Sequence, residues 1–192
     1  MLITDILLLF LGLVFWRKMC YYRITNPREV IRMDLRLISG YTHKEKVKTL
    51  FAEYTDMLVE RDPAFRDYLS KQNYDEEVEH LEEKYGQPYG RLYLAYIGGA
   101  LAGCVALRRI DAQNCEMKRL YVRPEFRGQD IGGSMVRQII RDAKHIGYSH
   151  ILLDTLPFLE KAIEMYKRYG FYEIPSYNGS PMEGLVYLKM DL

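Results

Sequence analysis

The chain has 192 residues, a formal net charge of +1, 48% hydrophobic residues and 28% charged residues. This length can bury one sizeable core, and the composition is that of a globular domain rather than a disordered chain. A net charge near zero, without a concentrated run of Lys and Arg, argues against nucleic-acid binding. Three unevenly spaced cysteines predict neither a disulfide framework nor a metal site, which suits the reducing cytoplasm.

The first 32 residues form an apolar leader. Residues 2–16 are nearly all apolar, and Arg17 and Lys18 follow them. A secretory signal needs positive charge before its apolar core and a cleavage site after it, so this interpretation fails. Two alternatives stay open: a short membrane anchor that holds the rest on the cytoplasmic side, or a translation start at Met19 or Met33. We favour the later start and expect the folded domain at residues 33–192.

The first elements of this domain are a strand and two helices. Residues 35–38 predict the strand, and residues 43–60 predict a helix with Thr42 as its N-cap. Asp62 and Pro63 end this helix. Residues 74–85 predict the second helix, which is rich in acids. Its acidic run could attract a cationic amine, but an exposed helix face explains the run more simply.

Three strands follow without an intervening helix. Residues 91–97 and 100–109 flank Gly98-Gly99, which is a strong hairpin signal. The third strand covers residues 115–122, and Pro124 prevents it from continuing. Three consecutive antiparallel strands before the first helical crossover predict a mixed α/β sheet.

A glycine-rich turn, Arg-Gly-Gln-Asp-Ile-Gly-Gly, occupies residues 127–133 directly after this strand. From Gly132 to Ile146 apolar residues recur at helical spacing, so the turn lies where unpaired backbone amides and the positive end of a helix dipole converge. Phosphates bind well at such a place. Taken alone the signal is weak, since ordinary strand-to-helix connections also use glycine.

The last third of the chain repeats the strand, loop and helix order. Residues 151–171 predict a short strand, a loop that contains proline, and an amphipathic helix that ends at Gly170. Residues 185–192 predict the final strand. The sequence shows no internal repeat, low-complexity segment or interdomain linker.

These stretches resemble the GNAT superfamily of acyl-CoA-dependent N-acetyltransferases. Residues 127–133 match its pyrophosphate loop, Arg/Gln-x-x-Gly-x-Gly/Ala, except that Asp130 replaces the middle glycine. Residues 166–171 have the family's Tyr-x-x-x-Gly-Phe form, and residues 173–192 resemble the tail of a bacterial subgroup with small single-domain members. The resemblance spans residues 34–192. It implies an α/β fold with a mixed, mostly antiparallel twisted sheet of six to seven strands, about four flanking helices and a V-shaped splay between the two central strands.

The resemblance also implies the ligands. Acetyl-CoA would bind as co-substrate, with no metal, and a primary amine would accept the acetyl group. The implied cofactor contacts are Leu120, Tyr121, Val122, Arg127, Gly128, Gln129, Asp130, Ile131, Gly132, Gly133 and Ser134. Thr155 and Phe158 are further candidates for the other wall of the splay. The Asp130 carboxylate could repel the pyrophosphate, although its side chain could instead point to water.

Two residues take catalytic roles by the same resemblance. Glu116 would be the general base, often through water, and Tyr166 would protonate the departing thiolate. The simpler alternatives are a strand carboxylate paired with a nearby cation for Glu116, and a core aromatic on an apolar helix stripe for Tyr166. Cys115 is more simply a packed thiol, because its side chain lies on the strand face opposite Glu116.

The acceptor is left open by the sequence. Protein N-termini, polyamines, amino acids and aminoglycosides all fit. Tyr85, Tyr89, Tyr172 and Tyr177 could form a polar aromatic pocket for a small molecule, or they could be ordinary half-buried residues. A homodimer is also open. Two functions of another class compete with the enzyme: a non-catalytic acyl-CoA sensor, and a GNAT-fold interaction protein that no longer binds CoA because of Asp130.

Overall fold

The structure is a computed structural model that describes residues 34–63, 65, 66, 74–180 and 182–192. The expected leader, residues 1–32, lies outside the described residues. Within the described part of the chain, no helix is both long and apolar enough to cross a membrane.

The described residues form one mixed sheet with helices on both faces. The sheet has seven strands in the order β1-β2-β3-β4-β5-β7-β6. The strands are β1 (Leu35–Ser39), β2 (Arg91–Ile97), β3 (Ala100–Arg109), β4 (Asn114–Val122), β5 (His150–Thr155), β6 (Tyr172–Ile174) and β7 (Val186–Asp191). The α-helices of this part are α1 (Lys44–Arg61), α2 (Tyr74–Glu79), α3 (Leu81–Tyr85), α4 (Ile131–Ile146) and α5 (Glu160–Arg168). The expected α/β fold is therefore confirmed.

Strand directions follow from the local sequence. Strands β1 to β4 pair antiparallel in succession. The turn between β2 and β3 places both Gly98 and Gly99 at positive φ, 56° and 86°, which side chains disfavour. The predicted bounds of these two strands are confirmed. Strand β5 runs parallel to β4 because α4 carries the chain back across the sheet, and β7 then pairs antiparallel with β5.

Two apolar cores cover the two faces of the sheet. Helix α4 buries Met135, Val136, Ile139 and Ala143 against one face, as its helical spacing predicts. Helices α1 and α3 cover the other face, where residues such as Phe51 are fully buried. The sheet is thus fixed on both sides by packed helices.

Strands β4 and β5 part soon after they meet. Their pairing covers only residues 114–116 against 150–152. Further along, one residue of β3, Val105, faces two residues of β4, Arg119 and Leu120, so β4 carries a bulge. Arg119 adopts a left-handed backbone, with φ of 57°. Because a bulge bends the strand that contains it, β4 leaves β5 open along residues 117–122.

A buried ion pair holds this bulge. Arg119 donates from Nε to Glu77 Oε1 at 2.8 Å and from Nη2 to Glu77 Oε2 at 3.0 Å. The Tyr85 hydroxyl donates to the same carboxylate at 2.6 Å, and Lys84 also pairs with it. Glu77 belongs to the acidic run that we expected to lie on an exposed helix face. For Glu77 that expectation is wrong, because its side chain is 2% exposed.

Several local expectations need correction. Thr42 does not cap α1, because a 3-10 turn covers residues 41–43 and His43 is the residue that precedes the helix. The single helix expected at residues 74–85 is two short helices that break at His80. Strand β6 lies within the expected number of six to seven strands, but the sequence did not locate it. Its three residues are short for a strand signal, and it forms by pairing with β7.

Replacing Glu77 with Gln should destabilise the fold. The variant leaves Arg119 buried without its full counter-charge, which typically costs about 3–5 kcal/mol. Urea unfolding followed by circular dichroism at pH 7 measures the loss. Glu79→Gln is the matched control, because Glu79 lies on the same helix but is exposed, and Lys48 is its one ion-pair partner among the residues that the structure describes.

The same pair gives a pH dependence. Burial alone would raise the pKa of Glu77, but Arg119 and Lys84 outweigh it and lower the pKa to about 2. The stabilisation from this shift is therefore fully present above the pKa of Glu in the unfolded chain, about 4.3. It is lost as the pH falls toward 2. The difference in the free energy of unfolding between wild type and Glu77→Gln should become smaller over that range. A difference that stays constant from pH 7 to pH 3 would contradict this account.

Candidate active site

The parted strands open into a cavity of about 850 Å³. Its walls are residues 117–122 of β4, the end of β5, the glycine-rich loop before α4, one face of α5 and the last turns of α1. Thr155 and Phe158 line it as well, on the β5 side. Five separate parts of the chain therefore meet at the expected splay.

Most of the expected cofactor residues line this cavity. They are Leu120, Tyr121, Val122, Arg127, Gly128, Asp130, Ile131, Gly132 and Gly133. Gln129 and Ser134 do not line it, and neither does Glu116. The cofactor assignments remain predictions, but the folded chain brings most of these residues to one place.

The glycine-rich loop presents unpaired amides. Among the described residues, the backbone N–H groups of residues 128–133 have no hydrogen-bond acceptor. The flanking amides are already used, since Arg127 N–H donates to Pro124 O at 3.2 Å and Ser134 N–H donates to Asp130 O at 3.0 Å. The free donors point from the start of α4, where the helix dipole is positive, so this end of the cavity suits an anion.

Asp130 takes the place of a loop glycine without leaving its charge unpaired. Its backbone is left-handed, with φ of 54° and ψ of 23°, which Asp tolerates better than most residues. Its Oδ2 accepts a hydrogen bond of 2.9 Å from Arg137 Nη2. Arg137 also donates to Ser134 Oγ at 2.7 Å and to the Tyr169 hydroxyl at 2.5 Å. The carboxylate is thus neutralised by a cation of the same helix.

Tyr166 lies in the wall that α5 gives to the cavity. The side chain is buried, and its ring packs on Phe171 with a centroid distance of 5.8 Å. Its hydroxyl makes no hydrogen bond to any residue that the structure describes. Burial raises the pKa of Tyr166 well above its usual value. The phenol therefore keeps its proton at neutral pH.

Glu116 lies where β4 and β5 are still paired. The carboxylate is fully buried and forms an ion pair with Arg108. The Tyr177 hydroxyl donates to its Oε1 at 2.5 Å, and Lys118 Nζ lies 3.7 Å from the same oxygen. Glu116 therefore reaches the cavity only through groups that contact it.

Two polar residues at the splay escaped the sequence analysis. Lys118 and Asp154 both line the cavity and form an ion pair of 2.9 Å that joins β4 to β5 where the backbones have parted. Asn178 donates to the other oxygen of Asp154 at 2.9 Å. A period-two pattern places Lys118 on the same strand face as Glu116, which was a usable signal. Nothing local to residue 154 indicates its partner.

The four tyrosines that the sequence suggested for an aromatic pocket are not the ones at the cavity. Tyr85, Tyr89, Tyr172 and Tyr177 do not line the cavity. The tyrosines that do line it are Tyr54, Tyr121 and Tyr166. Tyr85 is instead fully buried, and Tyr89 and Tyr172 are exposed on other surfaces.

The cysteines of the described region are packed thiols. Cys104 and Cys115 are free and buried. Burial raises the pKa of each to about 12, so neither is a thiolate nucleophile at neutral pH. Among the described residues, no group of three or more His, Cys, Asp or Glu side chains could hold a metal ion.

Fold and site together define an α/β protein with a cavity where its sheet parts and unpaired backbone amides at one end of that cavity. The family model for the acetyltransferase (GNAT) family matches residues 51–171, which is more than half of the chain. The chain therefore belongs to the GNAT family, and the expected resemblance is confirmed.

Relatives agree with this assignment. The chain is 40% identical over 126 residues to an uncharacterized N-acetyltransferase of Schizosaccharomyces pombe, and the match covers 65% of this chain and 77% of that one. It is 31% identical over 222 residues to an uncharacterized N-acetyltransferase of Dictyostelium discoideum, with 83% and 100% covered. This chain is accordingly an acyltransferase of the N-acetyltransferase kind.

Solved structures share the fold. A GNAT-family acetyltransferase of Staphylococcus aureus Mu50 superposes with a TM-score of 0.65 at 20% identity, and the match covers 82% of this chain and 99% of that one. The PaiA N-acetyltransferase of Thermoplasma acidophilum, solved in complex with coenzyme A, gives a TM-score of 0.61 at 17% identity, with 83% and 100% covered.

Replacing Gly133 with Ala should destabilise the start of α4. A Cβ at this position would lie 2.2 Å from Asp130 Oδ1 and 2.7 Å from the Tyr169 hydroxyl. Overpacking of this kind costs about 1–3 kcal/mol. The cost should be smaller in an Asp130→Gly background, where the closest atom is gone. Urea unfolding of wild type, Gly133→Ala, Asp130→Gly and the double variant measures both effects.

Gly132→Ala is the matched control for this experiment. A Cβ on Gly132 would meet its nearest neighbour, Met165 Sδ, at 3.6 Å, which is an ordinary contact. Alanine also favours a helix over glycine, so the control should not lose stability. Equal losses for Gly133→Ala with and without Asp130 would show that the carboxylate does not occupy the space beside Gly133.

Proposed function

We propose that this N-acetyltransferase carries acetyl-CoA between β4 and β5 and transfers its acetyl group directly to a primary amine. The observation that carries the proposal is the row of unpaired amides at residues 128–133, at one end of a cavity that opens between parted strands. The coenzyme A complex of the Thermoplasma acidophilum relative supports the choice of cofactor.

In this proposal the loop holds the pyrophosphate. The amides of residues 128–133 donate to its oxygens, with Gln129 contributing its backbone only. Ser134 contributes no amide, because that group is bonded within the helix. Three cations, Arg127, Lys161 and Arg168, line the same cavity and add positive charge for the phosphates.

The pantetheine arm would follow the free edge of β4. Residues 117–122 lie past the last pair with β5, so their outward backbone groups have no strand partner on that side. An extended amide chain can take the place of the missing strand, as in β-strand addition. Leu120, Tyr121 and Val122 would make these contacts and place the thioester near the Lys118 and Asp154 pair.

The reaction then needs one acid and one base. The amine nitrogen bonds to the acetyl carbon, the carbon–sulfur bond breaks, and the thiolate leaves. Tyr166 supplies the proton to the sulfur. Its neutral phenol lines the cavity and carries the proton that the sulfur takes as the carbon–sulfur bond breaks.

We assign Glu116 as the base, acting through water. Of the groups that contact its carboxylate, Lys118 lines the cavity and the Tyr177 hydroxyl does not, so a water beside Lys118 takes the proton of the amine and passes one of its own to Glu116. Asp154 is the other carboxylate at the splay. Burial alone would raise the pKa of Asp154, but the charge of Lys118 and the hydrogen bonds from Lys118 and Asn178 outweigh it and lower the pKa. A carboxylate with a lowered pKa is a weak base.

The proposed compartment is the cytoplasm. Both cysteines of the described region, Cys104 and Cys115, are free thiols. Small domains of oxidising compartments tend to use their cysteines as disulfide cross-links. Two unpaired thiols in the core suit a reducing compartment.

Tyr166→Phe and Glu116→Gln should each lower kcat by about 100-fold or more, as expected for loss of a general acid or base. Acetyl-CoA affinity should stay near the wild-type value, since neither side chain is assigned to the cofactor's phosphates. Steady-state release of CoA gives kcat, and calorimetric titration of acetyl-CoA gives Kd. Tyr172→Phe is the control, because Tyr172 is an exposed tyrosine outside the cavity.

The two variants test the acid role of Tyr166 and the base role of Glu116 separately. A wild-type kcat for Tyr166→Phe would remove Tyr166 as the acid. A variant Glu116→Gln that melts at lower temperature but keeps its kcat would leave Glu116 as the partner of Arg108 and nothing more. Failure of the wild-type protein to bind acetyl-CoA would overturn the whole proposal.

A further inference from the structure

The cavity has a continuous apolar wall on the side of α1. Leu58, Phe65 and Leu156 are buried in one cluster, and Met57, Leu159 and Leu185 pack against it. All six residues also line the cavity. They come from α1 and the residues after it, from the segment after β5 and from the segment before β7. A ligand with an apolar group would find a wall built from three distant parts of the chain.

Two of the cations that line the cavity, Arg61 and Arg127, lie beside this wall. Arg127 already donates from Nη2 to Met57 Sδ at 3.3 Å and from Nε to Val122 O at 3.0 Å, which leaves Arg61. Arg61 is the last residue of α1, one helical turn beyond Leu58, and it lines the cavity while remaining exposed. It makes no hydrogen bond or ion pair with any residue in the described part of the chain. An unpaired guanidinium at the edge of an apolar surface is well suited to a carboxylate, which it can hold through two parallel hydrogen bonds.

The cavity offers little to a polycation. Three carboxylates line it among the described residues: Asp130, Asp154 and Glu160. The first is paired with Arg137 and the second with Lys118, so Glu160 alone is left. The described residues of the acidic run, 76–83, do not line the cavity. An acceptor with several ammonium groups would therefore meet the positive charges of Arg61 and Lys118, with Glu160 as the one unpaired carboxylate among the described residues that line the cavity.

We infer that the acceptor is a small amine that also carries a carboxylate and an apolar side chain, the chemistry of an apolar α-amino acid. Arg61 binds the carboxylate, the wall around Leu58 covers the side chain, and the amine faces the thioester at the splay. The inference rests on the proposed function and adds to it a substrate class and a specificity residue.

The test compares leucine, leucinamide and spermidine as acceptors with the full chain. Leucinamide keeps the amine and the side chain of leucine but lacks the carboxylate. Wild type should favour leucine over leucinamide in kcat/KM by about 10- to 100-fold, the usual effect of one charge-assisted hydrogen bond. Spermidine should be the poorest acceptor. Mass spectrometry identifies the acetylated product, and CoA release gives the rate.

Arg61→Gln should erase the preference for leucine over leucinamide, mainly through a higher KM for leucine. Its affinity for acetyl-CoA, measured by calorimetry, should not change. Lys44→Gln is the matched control, because Lys44 is an exposed cation at the other end of the same helix and does not line the cavity. This control should keep the wild-type preference.

The outcomes are distinguishable. Transfer to spermidine or leucinamide in preference to leucine would overturn the inferred acceptor and leave the proposed function intact. Weaker acetyl-CoA binding in Arg61→Gln would make Arg61 a cofactor contact and overturn its assigned role. Acetyl-CoA that binds but is never transferred to any of the three amines would overturn the inference, whereas a lack of acetyl-CoA binding would defeat the proposed function itself.

Discussion

The ion pair between Glu77 and Arg119 joins helix α2 to the place where strand β4 bulges, and the site depends on that join. The Arg119 backbone is left-handed, with φ of 57°, and a non-glycine residue keeps such a conformation only when its surroundings hold it there. Here the Arg119 side chain is fixed by its two hydrogen bonds to the buried Glu77 carboxylate. The bulge lies within residues 117–122, the stretch over which β4 is parted from β5, and the gap between the two strands is the cavity.

Each wall of the cavity takes its chemistry from this divergence. The loop after β4 enters α4 with its amides unpaired, so one end of the gap suits phosphates. The Lys118 and Asp154 pair crosses the gap where backbone hydrogen bonds have ended. Helix α5 closes the gap with the buried phenol of Tyr166. Charged side chains, backbone donors and a buried tyrosine hydroxyl thus lie along one opening of the sheet.

Local sequence predicted the parts of this arrangement that depend on local forces. The hairpin bounds followed from Gly98-Gly99, because both turn positions need positive φ. The buried face of α4 followed from apolar spacing, and the loop followed from the glycines that a strand-to-helix turn requires. The family resemblance then joined these pieces into the correct fold.

The other features of the site depend on contacts between residues that are far apart in the sequence, and local sequence patterns do not predict such contacts. Glu77 seemed to belong to an exposed acidic face, and only its pairing with Arg119, 42 residues away, explains its burial. Asp154 needed Lys118, 36 residues away, to become part of the site. The tyrosines were too numerous for the sequence to show which of them face the cavity.

Amide hydrogen exchange with and without acetyl-CoA, read by mass spectrometry on the full chain, tests the central claim most directly. If the cofactor lies between β4 and β5 with its pyrophosphate on the loop, peptides that cover residues 120–122 and 128–133 should slow their exchange together. Peptides from β1 and β6, at the two edges of the sheet, should not change. Protection confined to other segments, with the loop amides exchanging as before, would contradict the account.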